Sequence, residues 1–174
     1  MEILISSDTN VWIDLREINC LRHSMALPFK FYISRLTFDT EFVDIADEIE
    51  NLMIVDLLDD ELNKVIELTR SIEGLSTQDC AALILAEERG WVLLSGDKLL
   101  RNTAQKRNIP VIGTLCILDN LLGYTIINEE EYKCCLKQIL MKMKTGIIRL
   151  PEEEVHERMK DPDSYKFINL HEKK

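Results

Sequence analysis

The sequence predicts an α/β protein whose central, mainly parallel β-sheet lies between two layers of helices. Short apolar segments, typical of buried strands, alternate with longer segments whose apolar residues recur every three or four positions. Each parallel connection needs a helix to return the chain, so this alternation favours a three-layer α/β/α sandwich. The chain has 174 residues, of which 46% are hydrophobic, and this is enough for the core of one domain.

Five short apolar segments are the candidate strands. They occupy residues 3–6, 31–33, 53–57, 91–94 and 109–112. The last segment contains a proline, which cannot donate a hydrogen bond to a neighbouring strand. We therefore expect this segment to be an edge strand or to start at the proline.

The segments between these strands carry helical patterns. One helix is predicted to begin at Val11, and a second to span 37–50 because its apolar residues recur at helical spacing. The next helix is expected to stop at Gly74 and the one after it at Gly90, since glycine suits a helix C-terminal cap. A further helix over about 99–107 precedes the last strand.

The C-terminal third is predicted to be helical. Apolar residues at helical spacing indicate helices over 115–122 and 132–143, and a short helix with a polar end follows. We therefore assign residues 1–150 to the main domain and residues 151–174 to a helical and polar extension of the same domain.

Several classes of protein are disfavoured by composition. No apolar run approaches the roughly 18 residues of a membrane-spanning helix, and the N-terminus lacks the pattern of a signal peptide. We therefore expect a soluble cytoplasmic protein with no membrane partner. The five cysteines form no C-x-x-C pair and the three histidines have no zinc-site spacing. Any metal should therefore be held by oxygen ligands.

The net charge of −10 disfavours a nucleic-acid enzyme, because phosphate binding usually depends on a basic surface. Part of this charge comes from two acidic runs, 129–131 and 152–154, which are expected on solvated helix starts. A carboxylate cluster would add more, and bound cations would neutralise it locally. The charge therefore does not exclude a nuclease.

Four acidic residues are candidate metal ligands: Asp8, Glu41, Asp79 and Asp97. The three aspartates stand where a predicted strand ends or a predicted helix begins. In a parallel α/β fold these positions converge on one edge of the sheet, where carboxylates can hold a divalent cation. This placement favours a metal-dependent nuclease.

Each aspartate also has a purely structural explanation as a helix cap. Asp8 and Asp97 can accept a hydrogen bond from the first turn of the following helix, and Asp79 follows Ser76 at the spacing of a capping box. Caps do not explain why acids should gather at one edge, since neighbouring carboxylates raise one another's pKa and destabilise the empty fold. The grouping therefore favours a functional role.

Four segments together resemble a known family, the PIN domain, a metal-dependent ribonuclease fold that includes the toxins of many prokaryotic toxin–antitoxin pairs. They are Ser7-Asp8-Thr9-Asn10-Val11, Leu75-Ser76-Thr77-Gln78-Asp79-Cys80-Ala81-Ala82-Leu83, Leu93-Leu94-Ser95-Gly96-Asp97-Lys98-Leu99-Leu100-Arg101 and Ile109-Pro110-Val111-Ile112-Gly113-Thr114-Leu115. Their order and separation carry the resemblance, which covers residues 1 to about 150 and implies that this part is a PIN-like nuclease domain.

The resemblance implies which residues form the acidic site. Asp8 matches the family's opening aspartate, Asp79 the aspartate early in the central helix, and Asp97 the aspartate that follows a strand. The fourth acid, usually a glutamate, should lie in 37–41, where Asp39 and Glu41 flank opposite margins of the apolar stripe. Periodicity cannot choose between these two, and we take Glu41 because the family position is usually glutamate.

The resemblance also implies the chemistry, which is hydrolysis of RNA phosphodiester bonds with Mg²⁺ or Mn²⁺ held by the four acids as metal ligands and catalytic residues. Asn10 and Ser95 are then candidates to position water or to support the ligands. Lys98 and Arg101, one turn apart on a predicted helix, are candidates to bind the backbone phosphate, although charges on a helix usually lie on a solvated face.

An antitoxin partner is expected from the resemblance alone, as is a homodimer formed through the helical regions after Val11 or after Thr114. A second hypothesis is a PIN-like interaction module that has lost catalysis and binds a partner protein. A third, a receiver domain or aspartyl phosphatase, predicts D-x-D or paired acids after the first strand. It is disfavoured because Thr9 and Asn10 follow Asp8.

Overall fold

The computed structural model describes residues 3–42, 49 and 52–165. In this part of the chain, five parallel strands form one sheet with the order β3-β2-β1-β4-β5. The strands are β1 (Ile3–Ser7), β2 (Phe29–Ser34), β3 (Leu52–Val55), β4 (Val92–Leu94) and β5 (Val111–Ile112). β5 starts directly after Pro110 and is an edge strand, as predicted. The three-layer α/β/α class is confirmed.

The described ranges contain nine α-helices, which lie singly or in pairs between the strands as far as β5 and then follow one another. They are α1 (Thr9–Glu17), α2 (Leu21–Ser24), α3 (Arg35–Thr37), α4 (Asp59–Ser71), α5 (Thr77–Arg89), α6 (Lys98–Lys106), α7 (Thr114–Gly123), α8 (Glu129–Lys144) and α9 (Glu152–Lys160). A π-helical turn, Phe38–Phe42, continues α3, and a 3-10 turn, Pro162–Tyr165, follows α9. The predicted helical C-terminal third is confirmed.

The strand order places a topological switch point at the carboxyl ends of β1 and β4. The central strand β1 pairs with β2 on one side and with β4 on the other, and Ser7 lies opposite Leu94. The chain runs from β1 to β2 and β3 in one direction across the sheet, whereas it runs from β4 to β5 in the other. Ligands of parallel α/β proteins bind where connections diverge in this way, outside the carboxyl ends of the strands.

Helix α5 lies in the core of the sheet-containing part. Its residues 80–86 are all buried, and it packs against α4 and against β1, β2 and β4. Small residues such as Ala81 and Ala82 permit a close approach, and Ser6 Oγ donates a hydrogen bond of 2.9 Å to the Ala82 carbonyl. Because α5 returns the chain to a parallel strand, it begins at the carboxyl edge of the sheet.

The two predicted glycine caps differ in outcome. Gly90 is the C-cap of α5 with φ of 65°, as predicted. The prediction for Gly74 is wrong, because α4 ends at Ser71 and its C-cap is Ile72 in an extended conformation. Ile72 packs against the core, which turns the backbone out of the helix early. Gly74 lies in the following turn with φ of 97°.

The helix predicted over 37–50 falls only partly within the described residues. α3 begins two residues earlier, at Arg35, because Ser34 Oγ accepts a hydrogen bond of 3.0 Å from the Thr37 amide. The π-helical turn then runs to Phe42. Residues 43–48, 50 and 51 lie outside the described residues, so the remainder of this helix stays a prediction.

The chain divides into two compact units. The first, residues 1–11 and 28–112, contains the sheet; the second, residues 12–27 and 113–174, contains the C-terminal helices. In the second unit, buried Arg158 on α9 hydrogen-bonds both carboxylate oxygens of buried Asp119 on α7, at 2.9 to 3.1 Å. Within the described residues, we find no helix with the length and apolar character needed to span a membrane.

Candidate active site

Asp8 stands at the first position beyond β1, at the switch point where β1 and β4 are neighbours. Its amide donates a hydrogen bond of 3.0 Å to the Leu94 carbonyl, which continues the β1–β4 ladder by one residue. This bond fixes the backbone of Asp8 at the carboxyl edge of the sheet. Its side chain is nearly buried, with 6% of the residue exposed.

Polar neighbours from the end of β4 and from the first turn of α1 hold the Asp8 carboxylate. Ser95 Oγ, directly beyond β4, donates to Asp8 Oδ2 at 2.7 Å. The Asn10 amide donates to Asp8 Oδ1 at 3.3 Å, and Asn10 Nδ2 lies 3.5 Å from Oδ2. Within residues 3–42, 49 and 52–165, no lysine, arginine or histidine forms an ion pair with Asp8.

The electrostatics of Asp8 follow from this setting. Burial raises the pKa of Asp8 to about 6, against the lowering effect of the hydrogen bonds from Ser95 and Asn10. The charge of Asp79 raises this pKa further, so Asp79 acts on Asp8 from the start of α5. A nearly buried carboxylate with an acidic neighbour and no cationic partner among the described residues is typical of functional sites. A cation beside Asp8 would stabilise its charged form.

Ser95 connects Asp8 to Asp97. While its hydroxyl donates to Asp8, its oxygen accepts a hydrogen bond of 3.0 Å from the Asp97 amide. Asp97 is the N-cap of α6, where Oδ1 accepts from the Leu100 amide at 2.7 Å. The capping explanation of Asp97 is therefore correct. Across the described ranges, no hydrogen bond occupies its Oδ2.

Asp79 is a capping residue as well. The Asp79 amide donates to Ser76 Oγ at 3.0 Å, and Asp79 Oδ2 accepts from the Ser76 amide and hydroxyl, both at 2.8 Å. The predicted capping box of α5 is confirmed. In the part of the chain that the structure describes, no hydrogen bond uses Asp79 Oδ1. The cap thus fixes the carboxylate at the carboxyl edge and leaves one oxygen available.

Glu41 is joined to the residue that follows Asp8. Thr9 Oγ1, on a residue only 5% exposed, donates to Glu41 Oε2 at 2.7 Å. Asp39 is exposed on the same π-helical turn and makes no hydrogen bond or ion pair within the described residues. Of the two acids that periodicity left open, Glu41 is therefore the one that contacts the residue after Asp8.

Two cations of α6 lie next to the acidic edge. Arg101 is half-buried and its Nη1 donates to the Ser95 carbonyl at 2.9 Å. This bond holds the guanidinium against the backbone just beyond β4, and its remaining N–H groups are suited to a phosphate. Lys98 is exposed at the first position of the helix.

Seven of the eight predicted site residues stand directly beyond β1 or β4 or in the first turn of α1, α5 or α6, whereas Glu41 lies in the π-helical turn after α3. They do not form a ready-made metal cage: within the described residues, no group of three or more His, Cys, Asp or Glu side chains could hold a metal ion together. The donors are carboxylate oxygens, which suit Mg²⁺ and Mn²⁺. Asp79 and Asp97 each keep one carboxylate oxygen outside the capping hydrogen bonds, and oxygen of this type is what these cations bind.

Two contacts at this edge were not predicted from the sequence. One is the role of Thr9, which aligns Glu41. The other is a hydrogen bond of 3.1 Å from Gln78 Nε2 on α5 to Thr40 Oγ1 on the π-helical turn. Thr9, Thr40 and Gln78 each stand next to a predicted acid in the chain, and this adjacency was the only sequence signal for their contacts.

Comparison with known proteins identifies the family of this chain. A family model described as a PIN domain matches residues 4–163. No match was found among curated proteins. PIN domains are generally nucleases and typically use divalent metals. Since the match covers most of the chain and the observed fold is the one expected, the protein belongs to the PIN domain family.

Proposed function

We propose that this protein is a ribonuclease that requires Mg²⁺ or Mn²⁺ and hydrolyses RNA phosphodiester bonds. The observation that carries the proposal is the position of Asp8. Its nearly buried carboxylate lies at the diverging point of the strand connections and lacks a cationic partner among the described residues, while Asp79 adds negative charge. Such a carboxylate destabilises the empty fold and gains free energy when a cation binds.

Asp8, Glu41, Asp79 and Asp97 would hold the metal. When bound, a divalent cation supplies positive charge beside the phosphate and lowers the pKa of a water molecule near it. Ser95 and Asn10 orient Asp8 through their hydrogen bonds. Arg101 and Lys98 would bind the RNA backbone, which supplies affinity without reading sequence.

We further propose, from family membership, that the protein is the toxin of a toxin–antitoxin pair, acts in the cytoplasm and forms a homodimer. If the neighbouring reading frame encodes a small, partly disordered protein, this would support the proposal of an antitoxin partner. Size-exclusion chromatography with light scattering would test the dimer. A monomer at micromolar concentration would overturn that part alone.

The metal site is tested by thermal unfolding with EDTA, Mg²⁺ or Mn²⁺. We expect millimolar cation to raise the melting temperature of the parent, because a ligand that binds only the folded state stabilises it. Asp79→Asn and Glu41→Gln should lose this rise together with cleavage of a labelled RNA. Asp39→Asn is the matched control and should retain both. If instead Asp39→Asn loses both and Glu41→Gln retains them, Asp39 is the fourth acid.

A second candidate is an interaction module without catalysis. It is favoured by the capping contacts of Asp79 and Asp97, each of which uses a carboxylate oxygen to hold its own helix. This candidate is supported if neither cation changes the melting temperature of the parent and if Asp79→Asn has the same melting temperature as the parent.

A further inference from the structure

Two cysteines that are far apart in the chain lie close together in the second unit. Cys20 Sγ, directly before α2, is 3.0 Å from Cys135 Sγ on α8, although 115 residues separate them. Both thiols are reduced and buried. A disulfide bond is about 2.05 Å long, so the two sulfurs need to approach by only roughly 1 Å to be joined.

The backbone on each side holds this arrangement. Asn19, two residues beyond α1, adopts the left-handed region with φ of 57°, and the Cys20 amide donates to the Leu15 carbonyl at 2.8 Å. The turn after α1 is therefore closed by a hydrogen bond to α1 itself. Cys135 lies on the buried face of α8 with Leu136 and Ile139. The backbone that carries each sulfur is therefore fixed by hydrogen bonds of the second unit.

We propose that Cys20 and Cys135 are a modification site at which a peroxide forms a reversible disulfide. We choose peroxide as the oxidant because it is small and both residues are buried, with Cys135 the more exposed at 7% against 2% for Cys20. The thiol of Cys20 also lowers the pKa of Cys135, so Cys135 is the first of the two to ionise and react.

The reaction balances in two steps. The Cys135 thiolate attacks one peroxide oxygen, the O–O bond breaks, and a sulfenic acid forms while the leaving hydroxide takes a proton to become water. Cys20 sulfur then attacks Cys135 sulfur, the S–O bond breaks, and the thiol proton of Cys20 leaves with the hydroxyl group as a second water. The two thiols lose two electrons and the peroxide is reduced to two waters.

The disulfide would connect the end of α1 to α8 and close a loop of more than one hundred residues. Closing so long a loop restricts the unfolded chain, so the oxidised protein should melt roughly 5–15 °C higher than the reduced protein. A reductant such as dithiothreitol should reverse the rise.

The test uses the full chain treated with hydrogen peroxide and then digested without reductant. We expect mass spectrometry to show a peptide pair linked through Cys20 and Cys135 and lighter by two hydrogen atoms than the free peptides. Cys20→Ala and Cys135→Ala should lose both the link and the rise in melting temperature. Cys134→Ala, which removes the exposed neighbouring thiol, is the matched control and should keep both.

Two results would overturn the proposal. One is a peroxide-treated parent in which Cys20 stays free while Cys135 is unmodified or carries sulfinic acid. The other is a link from Cys20 to Cys134. Both are measured on the parent protein, so they remain decisive even if an alanine variant folds poorly.

Discussion

At the scale of single residues, Asp8 illustrates the conflict between stability and function. Folding transfers its carboxylate from water to a nearly buried position next to another acid. The hydrogen bonds from Ser95 and Asn10 compensate only partly, because the pKa of Asp8 still rises to about 6. A site chosen for stability alone would carry a neutral side chain here.

The raised pKa of Asp8 predicts how stability depends on pH. In EDTA, the folded protein binds more protons than the unfolded chain between the ordinary pKa of 3.8 and about 6. The free energy of unfolding should therefore fall as pH rises through this window. Asp8 contributes at most about 3 kcal/mol to this fall. Urea unfolding at pH 4 and pH 7 measures the fall, which should be smaller in Asp8→Asn.

Asp14 provides a control for this measurement. Burial also raises the pKa of Asp14 to about 6, although Thr114 donates a hydrogen bond to it. Asp14→Asn should reduce the fall in stability but keep the response to Mg²⁺, whereas Asp8→Asn should lose that response. Equal cation responses in the two variants would contradict a metal role for Asp8.

Thr9 is predicted to position Glu41. Thr9→Val removes the hydroxyl that donates to Glu41 while it preserves the shape of the buried side chain. We expect the melting-temperature rise caused by Mn²⁺ to shrink in this variant and to persist in Thr9→Ser. Calorimetric titration with Mn²⁺ gives the matching change in affinity. Unchanged affinity in Thr9→Val would show that Glu41 does not need this contact.

At the scale of elements, α5 combines a structural and a functional role at its first turn. Its capping box is closed by Asp79, the same residue whose charge acts on Asp8. The cap uses one carboxylate oxygen, so the two roles are compatible. The two explanations weighed for this residue are therefore not alternatives.

Variants of Ser76 separate these roles. Ser76→Ala removes the hydroxyl that accepts from the Asp79 amide, and we expect a loss of about 1 kcal/mol in the free energy of unfolding. Ser76→Thr keeps the acceptor and should remain near the parent. Denaturant titration measures both. The cation response should survive in Ser76→Ala, because the Asp79 carboxylate is retained.

At the scale of the whole molecule, buried polar contacts connect helices from distant parts of the chain. In the second unit, Asp119 on α7 accepts from Arg158 on α9 and, at 2.6 Å, from the hydroxyl of Tyr132 on α8. These three side chains are all buried. These hydrogen bonds therefore hold α9 against α7, whose Asp119 is held in turn by α8.

Removing one partner of this network should be costly. Arg158→Met leaves the Asp119 carboxylate buried without its counter-charge. We expect the free energy of unfolding to fall by about 3–5 kcal/mol. The double variant Asp119→Leu with Arg158→Met removes both charges and should recover much of this loss. A double-mutant cycle in urea measures the coupling between the two residues. A coupling near zero would contradict this role.

Part of this protein could be predicted from local sequence. The alternation of apolar segments with helical periodicity predicted the sheet, and short-range signals predicted the Gly90 cap, the Ser76–Asp79 capping box and the strand start after Pro110. These features depend on residues within a few positions of one another. The end of α4 was misplaced because the packing of Ile72 against the core outweighed the signal of Gly74.

Other features depended on tertiary structure. The contacts of Ser95 with Asp8, of Thr9 with Glu41 and of Cys20 with Cys135 join residues that are 87, 32 and 115 positions apart. Their existence follows from strand order, register and helix packing, none of which is encoded in local spacing. The sequence alone thus determined the elements and placed acids at their ends. Only the folded chain decided which oxygens and sulfurs meet, because such meetings are set by the packing of distant segments.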